Sequence, residues 1–141
     1  MLVILKIRRL ALVAGLLGLV ACGADVTDQP ESSQADTLAQ RAGAPLFEGM
    51  GDYHMPITTA DTNAQRYFDQ GMVLAFGFNH AESIRSFRAA QTLDPECAMC
   101  FWGEALATGP NINVTSNGKA IMAPAERTSA RAAIDQALVL M

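Results

Sequence analysis

From Asp61 to Leu93 the apolar side chains return at three- and four-residue steps, with small residues set among them where two helices would touch. The first run carries Tyr67, Gly71, Leu74, Ala75 and Phe78, and the second carries Ala81, Ile84, Phe87, Ala90 and Leu93. Strands alternate with a period of two, so this spacing argues against them and predicts a helical hairpin. Asn79, with Glu82 three positions on, predicts the start of the second helix as a capping box in which Asn replaces Ser or Thr. Asp94-Pro95 predicts its end and a third helix over 95–107, with Asp94 as cap and Pro95 at the first helical position. The expected fold class is all-α.

This spacing resembles the tetratricopeptide repeat (TPR), a helical hairpin of about 34 residues with a bulky residue at position 4, Gly at 8, a small residue at 20, an aromatic at 24, Ala at 27 and Pro at 32. With Ala64 as the first position, those places fall on Tyr67, Gly71, Ser83, Phe87, Ala90 and Pro95. Gly71 and Ser83 would let the two backbones approach, while Tyr67 and Phe87 fill the space beside that contact. Gln70 departs from the pattern, because the seventh position favours Leu, and Ser83 is small without being Ala. A second unit starts at Ala98, with Phe101 and Trp102 near its bulky position and Gly103 and Ala105 on its packing face. Its small position should fall at Asn117, which lies in loop sequence. The pattern resumes with Ala130, Ile134 and Ala137, implying an insertion of 13 residues near 108–124. Gly109, Pro110 and Pro124 are the helix breakers of that insertion, which should map to a surface loop.

Taken together, the runs 64–71, 78–82, 97–104 and 109–113 resemble the N-terminal part of a group of exported bacterial TPR lipoproteins. Those proteins are several times longer and continue into further repeats and His-rich segments, so the resemblance covers residues 51–140. It implies an α-solenoid fragment of about two incomplete repeats over 61–141, and supplies no activity. Ile134, Leu138 and Met141 form an apolar stripe that still needs a surface to pack on. Repeat arrays want about three units and a polar cap, so the expectation is the N-terminal piece of a longer protein or dependence on a partner.

Ahead of the repeats the chain begins with Lys6, Arg8 and Arg9, an apolar run from Leu10 to Ala21, and Cys22, in the order of an export signal. As a helix that run would be roughly 18 Å long against the ~30 Å of a hydrocarbon core, which favours a cleaved signal over a permanent span. Leu19-Val20-Ala21-Cys22 resembles the lipobox of bacterial lipoproteins. The resemblance implies cleavage after Ala21 and acylation of Cys22, with several acyl chains anchoring the protein at about 0.8 kcal/mol per buried methylene. The domain plan is then a signal peptide over 1–21, a lipidated N-terminus and flexible linker over 22–45, a pre-repeat loop over 46–60, and helical repeats over 61–141. The linker expectation rests on its Asp, Gln, Ser and Thr content, which buries too little apolar area to offset its ordering entropy. The expected location is exported, on a cell or outer membrane facing the periplasm or exterior.

The 141 residues carry a formal charge of −4, and removal of the signal takes away three cations, which leaves an acidic chain without the basic stripe that nucleic acid requires. Cys97 and Cys100, three apart in the first turn of a helix, bring two sulfurs to one face. In an exported protein such a pair is a structural disulfide or a pair of buried thiols, with a metal site or a redox centre as alternatives. His54, in the loop before the repeats, and His80, at a helix start, are candidate metal ligands beside it, against the ordinary role of surface or packing residues. No Ser-His-Asp arrangement, phosphate-cradling Gly loop or HExxH helix is present, so an enzyme is not expected.

The functional expectation is a membrane-tethered scaffold that binds another protein or peptide and requires no cofactor. Contacts are expected from the first helix of each unit, through Arg66, Asp69 and Gln70 on one and Glu104 on the next. The alternative is an envelope component that handles a metal ion or haem through Cys97, Cys100 and His80.

Overall fold

The computed structural model describes residues 31–111, 113, 115–116 and 119–141. The expected export signal, Cys22 and the first part of the expected linker lie outside them. Among the described residues the regular structure is helical apart from one two-residue ladder: α1 (Glu31–Ala42), α2 (Thr62–Phe76), α3 (His80–Leu93), α4 (Ala98–Thr108), β1 (Thr115–Ser116), β2 (Lys119–Ala120) and α5 (Pro124–Val139). Helices α2 and α3 form one hairpin and α4 and α5 a second, with α4 packed on both α3 and α2. Among the described residues no helix is long and apolar enough to cross a membrane.

The contact that joins the hairpins is built from one aromatic ring and two glycines. Phe87 of α3 is fully buried, and a Cβ placed on Gly71 of α2 would come within 2.7 Å of its ring. Gly103 of α4 approaches the same ring more closely still. The ring stands edge-on to Phe68, with centroids 5.5 Å apart. Ser83, also fully buried, donates its hydroxyl to the Gly71 carbonyl at 2.7 Å, so the small position brings α2 and α3 together by a hydrogen bond as well as by its size. Tyr67 does not fill the space beside Phe87. It packs with Ala42, Ala44, Ala64, Ala90, Cys97 and Cys100, and donates its phenol to the Ala44 carbonyl at 2.7 Å. Burial is the main reason its phenol titrates above the usual 10.0, with Arg66 opposing.

Other expectations are corrected as well. The first helix ends at Phe76, because the N–H groups of Gly77, Phe78 and Asn79 turn back to the carbonyls of Val73, Ala75 and Leu74. Phe78 therefore leaves the apolar face and takes a left-handed backbone with φ of 61°, 58% exposed beside Phe76 at 69%. The third helix starts at Ala98 and not at Pro95. Asp94 spends its carboxylate on the turn, accepting from the N–H groups of Glu96 and Ala60 at 3.1 Å and from the Thr59 hydroxyl. The sulfur of Cys97 then caps α4 by accepting from the Cys100 N–H at 3.2 Å.

The linker is not wholly irregular, since residues 31–42 form α1 against α3. Ala42 and Ala44 are buried, with Leu38 packed against their cluster. One short apolar edge, docked on α3, suffices where composition alone suggested a tether. In the second hairpin the buried residues of α5 are Ala133 and Ala137, while Ala130 and Ile134 are half-buried. Its inward face is the expected one, with Ala133 added to it between Ala130 and Ile134. Leu138 and Met141 stay exposed.

The Asp94 turn gives the fold an acid dependence. The Thr59 hydroxyl first, then the Ala60 and Glu96 amides, hold this carboxyl below its ordinary 3.8, against the opposing effect of partial burial. In that window the unfolded chain binds the proton and the folded chain does not, so stability falls as pH drops below about 4 through the depressed value. Asp94→Asn should flatten this acid limb in denaturation midpoints measured from pH 5 to 2.

Candidate functional site

The segment between α1 and α2 does not hang free, and lies along the outer side of α2. Three polar side chains of that helix hold its main chain. Gln70, only 4% exposed, accepts from the Phe47 N–H at 2.6 Å and donates to the Pro45 carbonyl and the Ser86 hydroxyl, both at 3.0 Å. Gln65 donates to the Met55 carbonyl at 2.9 Å and accepts from the Ile57 N–H at 3.0 Å. Asp69 accepts from the Met55 N–H at 3.1 Å and from Gln65 at 3.0 Å, and its second oxygen meets His54 Nδ1 at 2.8 Å. Pro56 restricts Met55 to extended backbone, which presents alternate groups to the helix in this way.

Between the loop and α2 lies a cleft of about 230 Å³, lined by Leu46, Phe47, Met50, Tyr53, Arg66 and Val73 together with Asp69, Gln70 and loop backbone. Phe47 and Tyr53 are exposed at its rim. Arg66 is exposed too, its guanidinium donating, among the described residues, to Asn63 Oδ1 at 3.2 Å. Gly49 and Gly51 have φ of 72° and 82°, which let the loop turn over the cleft.

Three of the four residues expected to meet a partner thus come together, but in a different role. Asp69 and Gln70 are engaged with the chain's own loop, and Arg66 alone keeps a free side at the cleft. Glu104 stands apart on α4, 7% exposed, with Arg88 Nη2 at 2.7 Å and Gln91 Nε2 at 2.8 Å on its two oxygens. It ties α4 to α3. The spacing could not separate these roles, because a polar residue on a first helix reads alike whether a loop or a partner covers it. Gln65, Phe47 and Tyr53 were missed as site residues, although Gln70 in a Leu position was a signal that something polar lies over α2.

Cys97 and Cys100 form a disulfide, with both residues fully buried. Their sulfurs are committed to each other and not presented to a ligand. His54 is paired with Asp69, and His80 opens α3, edge-on to Phe78 with ring centroids 6.3 Å apart. Both nitrogens of His80 are shielded, with no hydrogen-bond partner among the described residues. The structure does not bring the cysteine pair and the two histidines together, and among the described residues no group of three or more His, Cys, Asp and Glu could hold a metal ion.

The chain matches no protein-family model, and no curated protein or solved structure is similar to it.

The Gln70 network makes a prediction opposite to the repeat pattern. Gln70→Leu supplies the residue favoured at that position, yet strands the Phe47 N–H and the Pro45 carbonyl beneath the loop. Each lost hydrogen bond costs about 0.5–1.5 kcal/mol, and together they outweigh what the added Leu burial returns. The variant should lose about 2 kcal/mol in urea denaturation.

Proposed function

We propose that this chain is a TPR-like scaffold, anchored through an acylated Cys22 in a bacterial cell envelope, that holds a segment of another protein and catalyses no reaction. The observation that carries this reading is the seating of Phe87 between Gly71 and Gly103, one small-residue contact on each of two successive hairpins. Stacked hairpins of this kind bury a shared core and leave an extended surface for a partner. The surface is narrower than the spacing implied, since Asp69, Gln70 and Glu104 are engaged within the chain. We place the partner contact at the cleft where Arg66 lies beside Phe47 and Tyr53, an exposed cation with two aromatic rims, a combination enriched in interface centres.

A photo-crosslinking residue at position 53 or 66, in cells that make the protein, tests this reading. One discrete protein adduct is expected from both positions and none from position 131 on the outer face of α5. Identical smears from all three positions, or no adduct from any, would overturn it.

A further inference from the structure

The loop before α2 is bound as a peptide ligand would be. Gln65 and Asp69, one helical turn apart, satisfy three main-chain groups of Met55 and Ile57, with every distance between 2.9 and 3.1 Å. A side-chain amide that both donates to a carbonyl and accepts from the N–H two residues on reads extended backbone and not a particular sequence. The side chains of Met55 and Ile57, which share one face of the extended segment, pack against the cluster formed by Phe68, Met72, Phe87 and Ala107. Pro56 between them keeps the segment extended.

The attachment is also local. The loop is pinned on one side at Pro45 and Phe47 by Gln70, and on the other at Thr59 and Ala60 by Asp94. Between those pins Met55 and Ile57 are half-buried, residues 51–54 are exposed, and Gly49 and Gly51 offer two left-handed pivots with open space around them. A segment with so few buried contacts opens at far less than the cost of global unfolding.

We propose that residues 54–57 are an intramolecular ligand. The Gln65–Asp69 pair and the apolar floor beneath it form a binding site for an extended apolar–Pro–apolar peptide, and the loop gives way when a partner presents one. This rests on the scaffold reading and names the chemistry of its partner. A partner segment first meets Arg66 and Tyr53 at the cleft, then replaces His54 to Ile57 on α2. Because the loop is tethered, it competes at an effective concentration in the millimolar range, and the resting protein binds such a peptide weakly.

The test uses the full chain and a fluorescent synthetic peptide with the sequence of residues 50–60. Met55→Ser/Ile57→Ser removes the loop's apolar anchors and leaves Gln65 and Asp69 intact. This variant should bind the peptide at least tenfold more tightly than the natural chain. Adding Gln65→Ala should cancel the gain, and a peptide with its Met and Ile positions changed to Ser should not bind. A folded variant with no gain over the natural chain overturns the proposal. If the variant does not fold, hydrogen exchange on the natural chain decides. The Met55 and Ile57 amides should exchange at least a hundredfold faster than those of Phe68 to Met72, and equal rates mean a permanent wall and overturn it. A discrete crosslinked partner in cells without peptide binding in vitro sinks this inference alone. Peptide binding in vitro without a partner in cells sinks the scaffold reading instead.

Discussion

Gly103→Ala should destabilise the protein by about 2–3 kcal/mol, although the same change in an exposed helix stabilises by about 1 kcal/mol. The sign is decided by Phe87. Its ring already touches Gly71 on one side, where an added Cβ would lie 2.7 Å from the nearest ring carbon, and Gly103 closes the other side more tightly. The ring cannot retreat, being fully buried and stacked edge-on against Phe68. A new methyl therefore pushes α4 away from α3 and opens the Arg88–Glu104 and Gln91–Glu104 contacts as it moves. For a folded region of this size the loss corresponds to roughly 10–20 °C in Tm. Phe87→Ala alone should cost about 3–5 kcal/mol by leaving a cavity. In the background of that change Gly103→Ala should regain its helix-favouring sign, because the obstacle has gone. This reversal in a double-mutant cycle separates a steric clash from a general intolerance of change at position 103.

Loss of the Cys97–Cys100 disulfide is the second large effect. The loop it closes is short, with a sequence separation of 3, so chain entropy alone assigns it about 2 kcal/mol. Both cysteines are fully buried where α1, α2 and α3 meet the start of α4, beside Ala42, Tyr67 and Ala90. Reduction has two expected signatures. The folded protein should resist millimolar dithiothreitol for as long as it stays folded, because the reductant cannot reach the sulfurs. Once reduced in denaturant and returned to buffer, it should melt about 8–16 °C lower. Rapid reduction of the native chain without a change in Tm would contradict this placement.

The hairpins were legible in the sequence because helical packing leaves a local record. Gly71, Ser83, Phe87 and Ala90 must be small or aromatic where they stand, and each is buried at the contact expected for it. The Asn79 cap was equally readable, since its side chain accepts from the Glu82 N–H within the same turn. What escaped depends on residues far apart in the chain. Gln70 reads as a misfit until Pro45 and Phe47 are laid across it, and Glu104 reads as a surface carboxylate until Arg88 and Gln91 reach it from α3. Asp94 does end α3, as its C-cap, but the N-cap role expected of it on the third helix falls to Cys97, and that helix starts three residues later than the spacing predicts. The role of Met55-Pro56-Ile57 was hidden for the same reason. Only the extended geometry imposed by proline was local, and the helix that receives it begins later in the chain.

The account depends on two hairpins nesting through one aromatic ring held between two glycines. Nuclear Overhauser contacts from the ring protons of Phe87 in the full chain test this most directly. Cross-peaks of comparable strength to the α-protons of both Gly71 and Gly103 are predicted. Cross-peaks to Gly71 alone, with Gly103 silent, would mean that the second hairpin does not stack on the first.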